Sequence, residues 1–355
     1  MIVDRRHLLK CGGGLVAASL APALVTGACA QTIEPDDEDD PGCDLEAEEK
    51  ALVAPRLLTN YTKPPPRFVV NPEFLPPVGN QGSVGACVAW AAGYGLTTAM
   101  LARKLKRDPS LPAHQVSASY FYSTVRNAMA SGCSVERDKI QCDGQKHSTL
   151  GKGGTNIPLA LTLLAEFGSV SAQDCPYPLV QVGGRKVVSG ALYDNVYAAW
   201  GSVRVEPTIK IASFKEIVTH WERPNDLNNI KAVLAQNEPL VLSLRLPDKW
   251  GSARFDQSGK PWEHYRNIQL KNKNANTPAG HAMLVIGYDD NVESAGGNRG
   301  AMLLQNSWGN AWGMSWSDAF KTQYPNLPVK PTKGYVWITY EAFRVLAKRI
   351  YSVEV

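Results

Sequence analysis

Apolar spacing changes character along this chain of 355 residues, and the change limits the folds open to it. From Cys87 the run Cys87-Val88-Ala89-Trp90-Ala91-Ala92 continues through Leu96, Met100, Leu101 and Leu105, at intervals of three and four. That is the period of a buried helix, closed by Arg103–Arg107 before Asp108-Pro109. Further helices are expected over Val116–Met129, over Ile157–Phe167 with Gly168 as a stop, and over Asn228–Gln236. Short strand-like runs then take over: Leu240–Leu244, Ala282–Tyr288 before Asp289-Asp290, Ala301–Gln305 and Gly334–Thr339. Helices first and antiparallel strands afterwards define an α+β chain in two lobes, not an alternating α/β one.

The first thirty residues stand outside that pattern. Arg5-Arg6 and Lys10 precede a Gly/Ala/Leu/Val-rich stretch that ends in Ala28-Cys29-Ala30. A basic start, a mild apolar segment and an A-x-A site form an export signal. The paired arginines and the diluting Gly12-Gly13-Gly14 resemble the twin-arginine type, with an ordinary secretory signal as the alternative. The expected location is periplasmic or secreted. A lipid on Cys29 is a minor alternative, because Thr26 stands where a lipobox carries Leu.

Residues 31–73 read as an acidic and proline-rich lead-in. Glu34–Asp40 is a solvated acidic run, and Pro64-Pro65-Pro66 with Pro72 favours extended chain. The folded domain is expected over 74–355, with a helical lobe over about 74–180 and a β lobe over about 200–355. A hydrophobic share of 44% and a charged share of 20% suit a packed globular domain and exclude global disorder. A net charge of +4 is too small to imply nucleic acid or an anionic membrane as the main partner. Nothing after the leader is long and apolar enough for a span, so no stable membrane insertion of the mature chain is expected. A monomer is the expected state.

Cysteine arithmetic narrows the chemistry. Cys11 and Cys29 fall in the leader, which leaves Cys43, Cys87, Cys133, Cys142 and Cys175. An odd number in an oxidising compartment implies pairs plus a free thiol. Cys133 and Cys142 favour a local disulfide over a zinc site with Asp138, Asp143 and His147, since the close-spaced ligand doublet is missing. Cys43–Cys175 is a weaker candidate for a second bridge.

Cys87 follows the glycine-rich turn Asn80-Gln81-Gly82-Ser83-Val84-Gly85-Ala86 and opens a helix. A thiol there faces unpaired N–H groups and the positive end of the helix dipole, both of which favour thiolate. His281 opens a strand, and Asn306-Ser307-Trp308-Gly309-Asn310-Ala311-Trp312-Gly313 ends the next one. An Asn amide can fix a histidine tautomer while a tryptophan shields the bond from water. The remaining histidines, His114, His147, His220 and His264, have no such context.

These residues together resemble the papain family of cysteine peptidases. The order Gln81, Cys87, His281, Asn306 is kept, the turn before Cys87 matches the family's local signature, and Asn-Ser-Trp-Gly is its most specific block. The resemblance implies a papain-like two-lobed fold: a helical N-terminal lobe and an antiparallel β-barrel-like C-terminal lobe, with the active-site cleft between. It implies Cys87 as nucleophile, His281 as acid and base, Asn306 as the orienting residue and Gln81 as an oxyanion-hole donor. Gly153 and Gly154, within Gly151–Thr155, would pair with substrate backbone, and Trp308 would line the site; Asp143-Gly144 is a rival alignment for the glycine pair. The substrate would be a peptide or protein, and neither metal nor organic cofactor is needed.

The departures are specific. Val84 and Val88 replace a cysteine and an aromatic beside the nucleophile. Cys87 and His281 lie 194 residues apart, against about 130–150 in papain-like enzymes. Insertions are therefore expected within 181–225 and 249–278, with another near Met314–Lys333. Residues 31–73 are too short and too proline-rich for the family's long helical propeptide, so none is expected. The alternatives are another Cys-His acyl-transfer enzyme, transglutaminase-like or a cell-wall amidase, and a non-catalytic papain-fold binding protein.

Overall fold

The Cys87 stretch is a helix, as its spacing requires, but not a uniform one. Cys87 and Val88 form its first turn, Ala89–Thr97 is wound as a π-helix, and α2, Thr98–Leu105, completes it. Every residue of Ala89–Thr97 is buried, the expected state for a helix apolar on all sides. Apolar spacing does not register the wider turn. Within it Thr97 Oγ1 donates to the Ala92 carbonyl at 2.8 Å, and Gly93 lets the neighbouring helix approach, since a Cβ there would sit 2.5 Å from the Phe121 ring. Lys106, at φ 52°, ends the helix in left-handed backbone.

The computed structural model describes residues 42–51, 53, 63–82, 84–136, 139–143, 154–178, 180–182, 185–187, 203–218, 226–246, 280–313 and 333–355. The leader, the acidic run, Asp138, His147, Gly153, His220, His264 and most of the three expected insertions lie outside the described residues.

Short α1 is Leu45–Lys50, capped by Asp44. Helix α3, Ala118–Ala130, starts at Ser117, whose side chain accepts from the Tyr120 N–H at 3.1 Å. Helix α4, Ile157–Glu166, has Asn156 as its cap and Gly168 at φ +77° just past its end. This is the stop that the glycine predicts. Between them, β2 (Cys133–Glu136) and β3 (Lys139–Cys142) form a hairpin in which Cys133 and Cys142 face each other and are disulfide-bonded. Both sulfurs are thereby removed from any zinc site.

The second lobe is one antiparallel sheet. After a separate hairpin of β4 (Val180–Val182) and β5 (Arg185–Val187), its strands are β6 (Ser213–Val218), β7 (Leu240–Arg245), β8 (Gly280–Glu293), β9 (Arg299–Gln305), β10 (Tyr335–Thr339) and β11 (Ala347–Glu354). Their order is β10-β9-β8-β7-β11-β6. Helix α5, Asp226–Leu234, and α6, Tyr340–Leu346, belong to this half. Among the described strands the sheet does not close on itself, so it is an open sheet and not a barrel. The α+β division into a helical first half and an antiparallel second half is the one expected.

The stretch expected as lead-in takes part in the fold. Strand β1, Arg67–Val69, pairs with Tyr288 and its neighbours on β8. Its prolines stop just short of it, leaving the N–H groups of 67–69 free to pair. Within residues 42–51, Gly42, Cys43, Leu45, Glu48 and Ala51 are buried, and this segment is taken up below.

Cys43 and Cys175 are both free and buried, so the weaker disulfide is not formed. Cys175 sits beside Tyr120 and Val170 in a small separate cluster, while Cys43 belongs to the main core. The Cys133–Cys142 bridge closes a loop of about ten residues, for which chain entropy gives about 2–3 kcal/mol. Replacing both with Ser should lower unfolding free energy by about that amount in a urea melt, and labelling of the leaderless wild-type protein under denaturing, non-reducing conditions should find thiols at Cys43, Cys87 and Cys175 alone.

Candidate active site

The two strands that bear the candidate histidine and asparagine are neighbours. Leu284 of β8 pairs with Gln305 of β9. Antiparallel pairing therefore brings the residue after β9 beside the start of β8. His281 Nε2 and Asn306 Oδ1 are 2.7 Å apart, with both side chains buried. The Ser307 N–H also donates to Asn306 Oδ1, at 2.8 Å. That second donor fixes the amide so that its oxygen faces the ring, and the ring must then carry its proton on Nε2. The Trp308 ring lies 4.9 Å from the His281 ring, centroid to centroid, and Trp312 stands edge-on to Trp308. Trp308 thus covers the histidine–asparagine pair.

Cys87 reaches the same place from the helical lobe. Its Sγ accepts the Ala282 N–H at 3.3 Å, so the thiol lies against the residue next to His281. Cys87 opens its helix.

The Gln81 loop is fastened to the Asn306 loop through its backbone. Gln81 N–H donates to Ser307 O at 2.8 Å, Gly309 N–H donates to Gly79 O at 2.8 Å, and Asn80 forms a bridge with Trp308. The side chain is held too: Ser307 Oγ donates to Gln81 Oε1 at 2.6 Å and Gln81 Nε2 donates to Val84 O at 3.0 Å. Tyr177 Oη donates to the Gln81 carbonyl at 2.9 Å. The structure therefore gathers Gln81, Cys87, His281, Asn306 and Trp308 at one junction of helix and sheet. Ser307 and Tyr177 join them through Gln81. Ser307 was legible as the neighbour of Asn306, whereas Tyr177 is 96 positions away from Gln81 in sequence and carries no local signal.

A short piece of the chain's own backbone lies across this junction. Thr155 N–H donates to Gly42 O at 2.8 Å, Asp44 N–H donates to Thr155 O at 2.8 Å, and Cys43 N–H donates to Gly280 O at 3.1 Å. Cys43 pairs in parallel with Thr155 and antiparallel with Gly280. The approach is at backbone distance: a Cβ at Gly42 would lie 2.2 Å from Gly85 O, one at Gly154 2.7 Å from the Gly42 carbonyl carbon, and one at Gly280 2.2 Å from Cys43 O. The glycines at 42, 154 and 280 are thus explained by the closeness of these backbones.

Helix α1 follows directly and anchors the segment on the sheet. Arg349 of β11 makes a two-pronged pair with Glu216 of β6, at 2.9 and 2.7 Å. Its remaining N–H groups reach the carbonyls of Glu48 and, at 2.8 Å, Ala51. Glu48 is buried, and burial pushes its carboxyl up to about 7, against the lowering pull of Tyr351, Arg349, Ser243 and Cys43. Burial, with Glu48 and Cys87 nearby, also raises the Cys43 thiol well above its ordinary value.

The model of the papain family of cysteine proteases matches residues 116–317. This is more than half of the chain, and the chain belongs to that family. It is a papain-like cysteine peptidase, a hydrolase. The matched range includes His281 and Asn306 and begins after Cys87. Among solved structures, procathepsin B S9 from Trypanosoma congolense superposes with a TM-score of 0.52 at 14% identity, covering 86% of this chain and 85% of that one. The mite allergen structure solved for cross-reactivity between Blo t 1 and Der p 1 gives 0.51 at 15% identity, covering 88% and 77%. Xylellain, a cysteine protease from Xylella fastidiosa, is 20% identical over 86% of this chain and 96% of that one, with a TM-score of 0.49. At these identities the likeness is one of fold. A comparison with curated protein sequences finds no match.

Proposed function

We propose that the protein is an exported cysteine endopeptidase in which Cys87 and His281 act as a thiolate–imidazolium pair. The observation that carries this reading is the convergence of three elements. The His281–Asn306 bond is 2.7 Å long and buried, and the Cys87 sulfur is held against the next residue of the same strand. Cys87 attacks the peptide carbonyl, and His281 protonates the departing amine and then activates water to release the acyl-enzyme. A second N–H of Gln81 Nε2, with the Cys87 backbone N–H, stabilises the oxyanion. Asn306 keeps the imidazole in one tautomer and one orientation. Asn306 in the third position disfavours a transglutaminase-like or cell-wall amidase chemistry, where that group is usually acidic or a second histidine. Retention of all four groups disfavours a purely binding role.

A peptide or protein substrate would lie in the slot between Thr155 and Gly280, using the backbone groups that Gly42–Asp44 now uses. The segment 42–51 would therefore hold the enzyme latent until displaced. Residues 1–30 would direct export, and the Cys133–Cys142 disulfide suits an oxidising compartment. Two experiments test the reading. A peptide-library cleavage profile, with Cys87→Ala as control, should show thiol-reagent-sensitive cleavage that a chelator leaves unchanged; chelator-sensitive cleavage would reject it. Replacing both Arg5 and Arg6 with Lys should block export if the route is twin-arginine, and undiminished export would sink that part.

A further inference from the structure

Behind the His281–Asn306 pair lies a cavity between the Cys87 helix and the sheet. Gly79, Trp90, Tyr94, Leu284, Gln305 and Asn306 are on its wall, and about 10 Å³ is open to the centre of a water-sized sphere. That is close to the space one water needs. Three polar atoms of wall residues have no hydrogen-bond partner among the described residues: Trp90 Nε1, Gln305 Oε1 and Asn306 Nδ2. The three residues are 8%, 6% and 3% exposed, so bulk solvent does not serve them.

The orientation of both amides is set from elsewhere. Gln305 Nε2 donates to Pro76 O at 3.4 Å, which leaves its oxygen for the other side. Asn306 Oδ1 is committed to His281 and to the Ser307 N–H, which leaves its NH2 to donate. Trp90 Nε1 can only donate. The wall thus offers two donors and one acceptor, the complement of a single water that accepts twice and donates once. Buried groups left unpaired are costly, and a polar cavity of this size is one that water fills.

We propose that this cavity holds one resident water, and that through it Trp90 and Gln305 are positioning residues for Asn306 and hence for the His281 ring. The kinetic part rests on the reading of Asn306 as the group that orients His281. Asn306 is gripped by the ring and the Ser307 N–H on its oxygen side. The water supplies the grip on its nitrogen side, so the amide plane cannot swing. Removing one partner of the water loosens that plane without touching the substrate slot.

A high-resolution crystal structure of the full chain should show one ordered water within hydrogen-bond distance of all three atoms. Trp90→Phe, which keeps an aromatic ring and loses the donor, should lower kcat about 3- to 10-fold with KM little changed, the range expected for one net hydrogen bond. Gln305→Met should act alike and carries the test if the tryptophan variant folds poorly. In an Asn306→Ala background either loss should disappear, because the group being positioned is gone. A dry cavity overturns the proposal, whether or not the chain cleaves peptides. Losses that persist undiminished beside Asn306→Ala, or that fall on KM, overturn the positioning role. A chain that cleaves nothing would instead reject the peptidase reading, with the crystallographic result still deciding the water.

Discussion

Cys87→Ala and His281→Ala are each expected to abolish peptide cleavage, with losses on the order of 10⁴–10⁶ in kcat, as when a nucleophile or its base is removed from a unit that acts together. The other two substitutions should be graded. Gln81→Ala removes one of two oxyanion donors, for which about 10²–10³ in kcat is the usual cost. Asn306→Ala leaves nucleophile and base in place and frees the ring to rotate, so its loss should be smaller than that of His281→Ala. KM should change less than kcat throughout, since these contacts strengthen as the tetrahedral species forms. Kinetics on any cleaved peptide, with the fold of each variant checked by circular dichroism, reads the order. Wild-type activity in Cys87→Ala would reject the assignment. Equal and complete loss in all four variants would point to misfolding.

Gly42→Ala is expected to do the opposite and raise activity. Gly42 stands at φ +99°, and a Cβ there would lie 2.2 Å from Gly85 O. Backbone cannot move aside as a side chain can, so the methyl group should drive the segment out of the slot while leaving the proposed catalytic set untouched. A tethered segment competes at a local concentration on the order of 1 mM. If its own affinity is about 10 μM, release should raise kcat/KM by about 100-fold. Gly154→Ala is the contrasting variant: its Cβ would meet Gly42 at 2.7 Å, but it also narrows the wall that substrate would use, so it should not activate to the same degree. An unchanged rate in a folded Gly42→Ala protein would mean that the segment does not restrain the enzyme.

The same contact should respond to pH. Docked, Glu48 keeps its proton up to about pH 7, because burial outweighs Arg349, Tyr351, Ser243 and Cys43 around it. Released into water, it should titrate near the ordinary value of 4.5. Docking therefore takes up a proton between those values. It is fully supported by this group below about 4.5 and weakens as pH rises through 7. Glu216 is engaged by its two-pronged bond to Arg349. The ratio of Gly42→Ala to wild-type activity should accordingly shrink between pH 5 and pH 8. Taking the ratio cancels the pH dependence of the chemistry itself. A flat or rising ratio would count against Glu48 as the sensor.

Much of the architecture and of the candidate site was written in local pattern. Helices at 98–105, 118–130 and 157–166 and strands at 240–245, 299–305 and 335–339 follow from apolar spacing and from stops such as Gly168, because the side chains of one short segment decide them. Cys87 at a helix start, His281 at a strand start and Asn306 beside tryptophan are legible for the same reason. Where these residues meet was decided by strand pairing: only the antiparallel alignment of Leu284 with Gln305 sets His281 beside Asn306. Tyr177 behind Gln81 and the cavity walled by Trp90, Gln305 and Asn306 likewise depend on contacts between distant segments. The lead-in shows the difference most plainly. Acidic and proline-rich composition describes a chain by itself, and by itself residues 42–51 have no reason to be ordered. They are held by partners the composition cannot name: the backbone of Thr155 and Gly280, glycines at 85 and 154, and Arg349 some 300 positions away. Sequence determined which groups stand as candidates for the chemistry, and tertiary structure decided that the chain's own backbone would lie between Thr155 and Gly280, because hydrogen bonds between main chains are set by proximity and not by residue type.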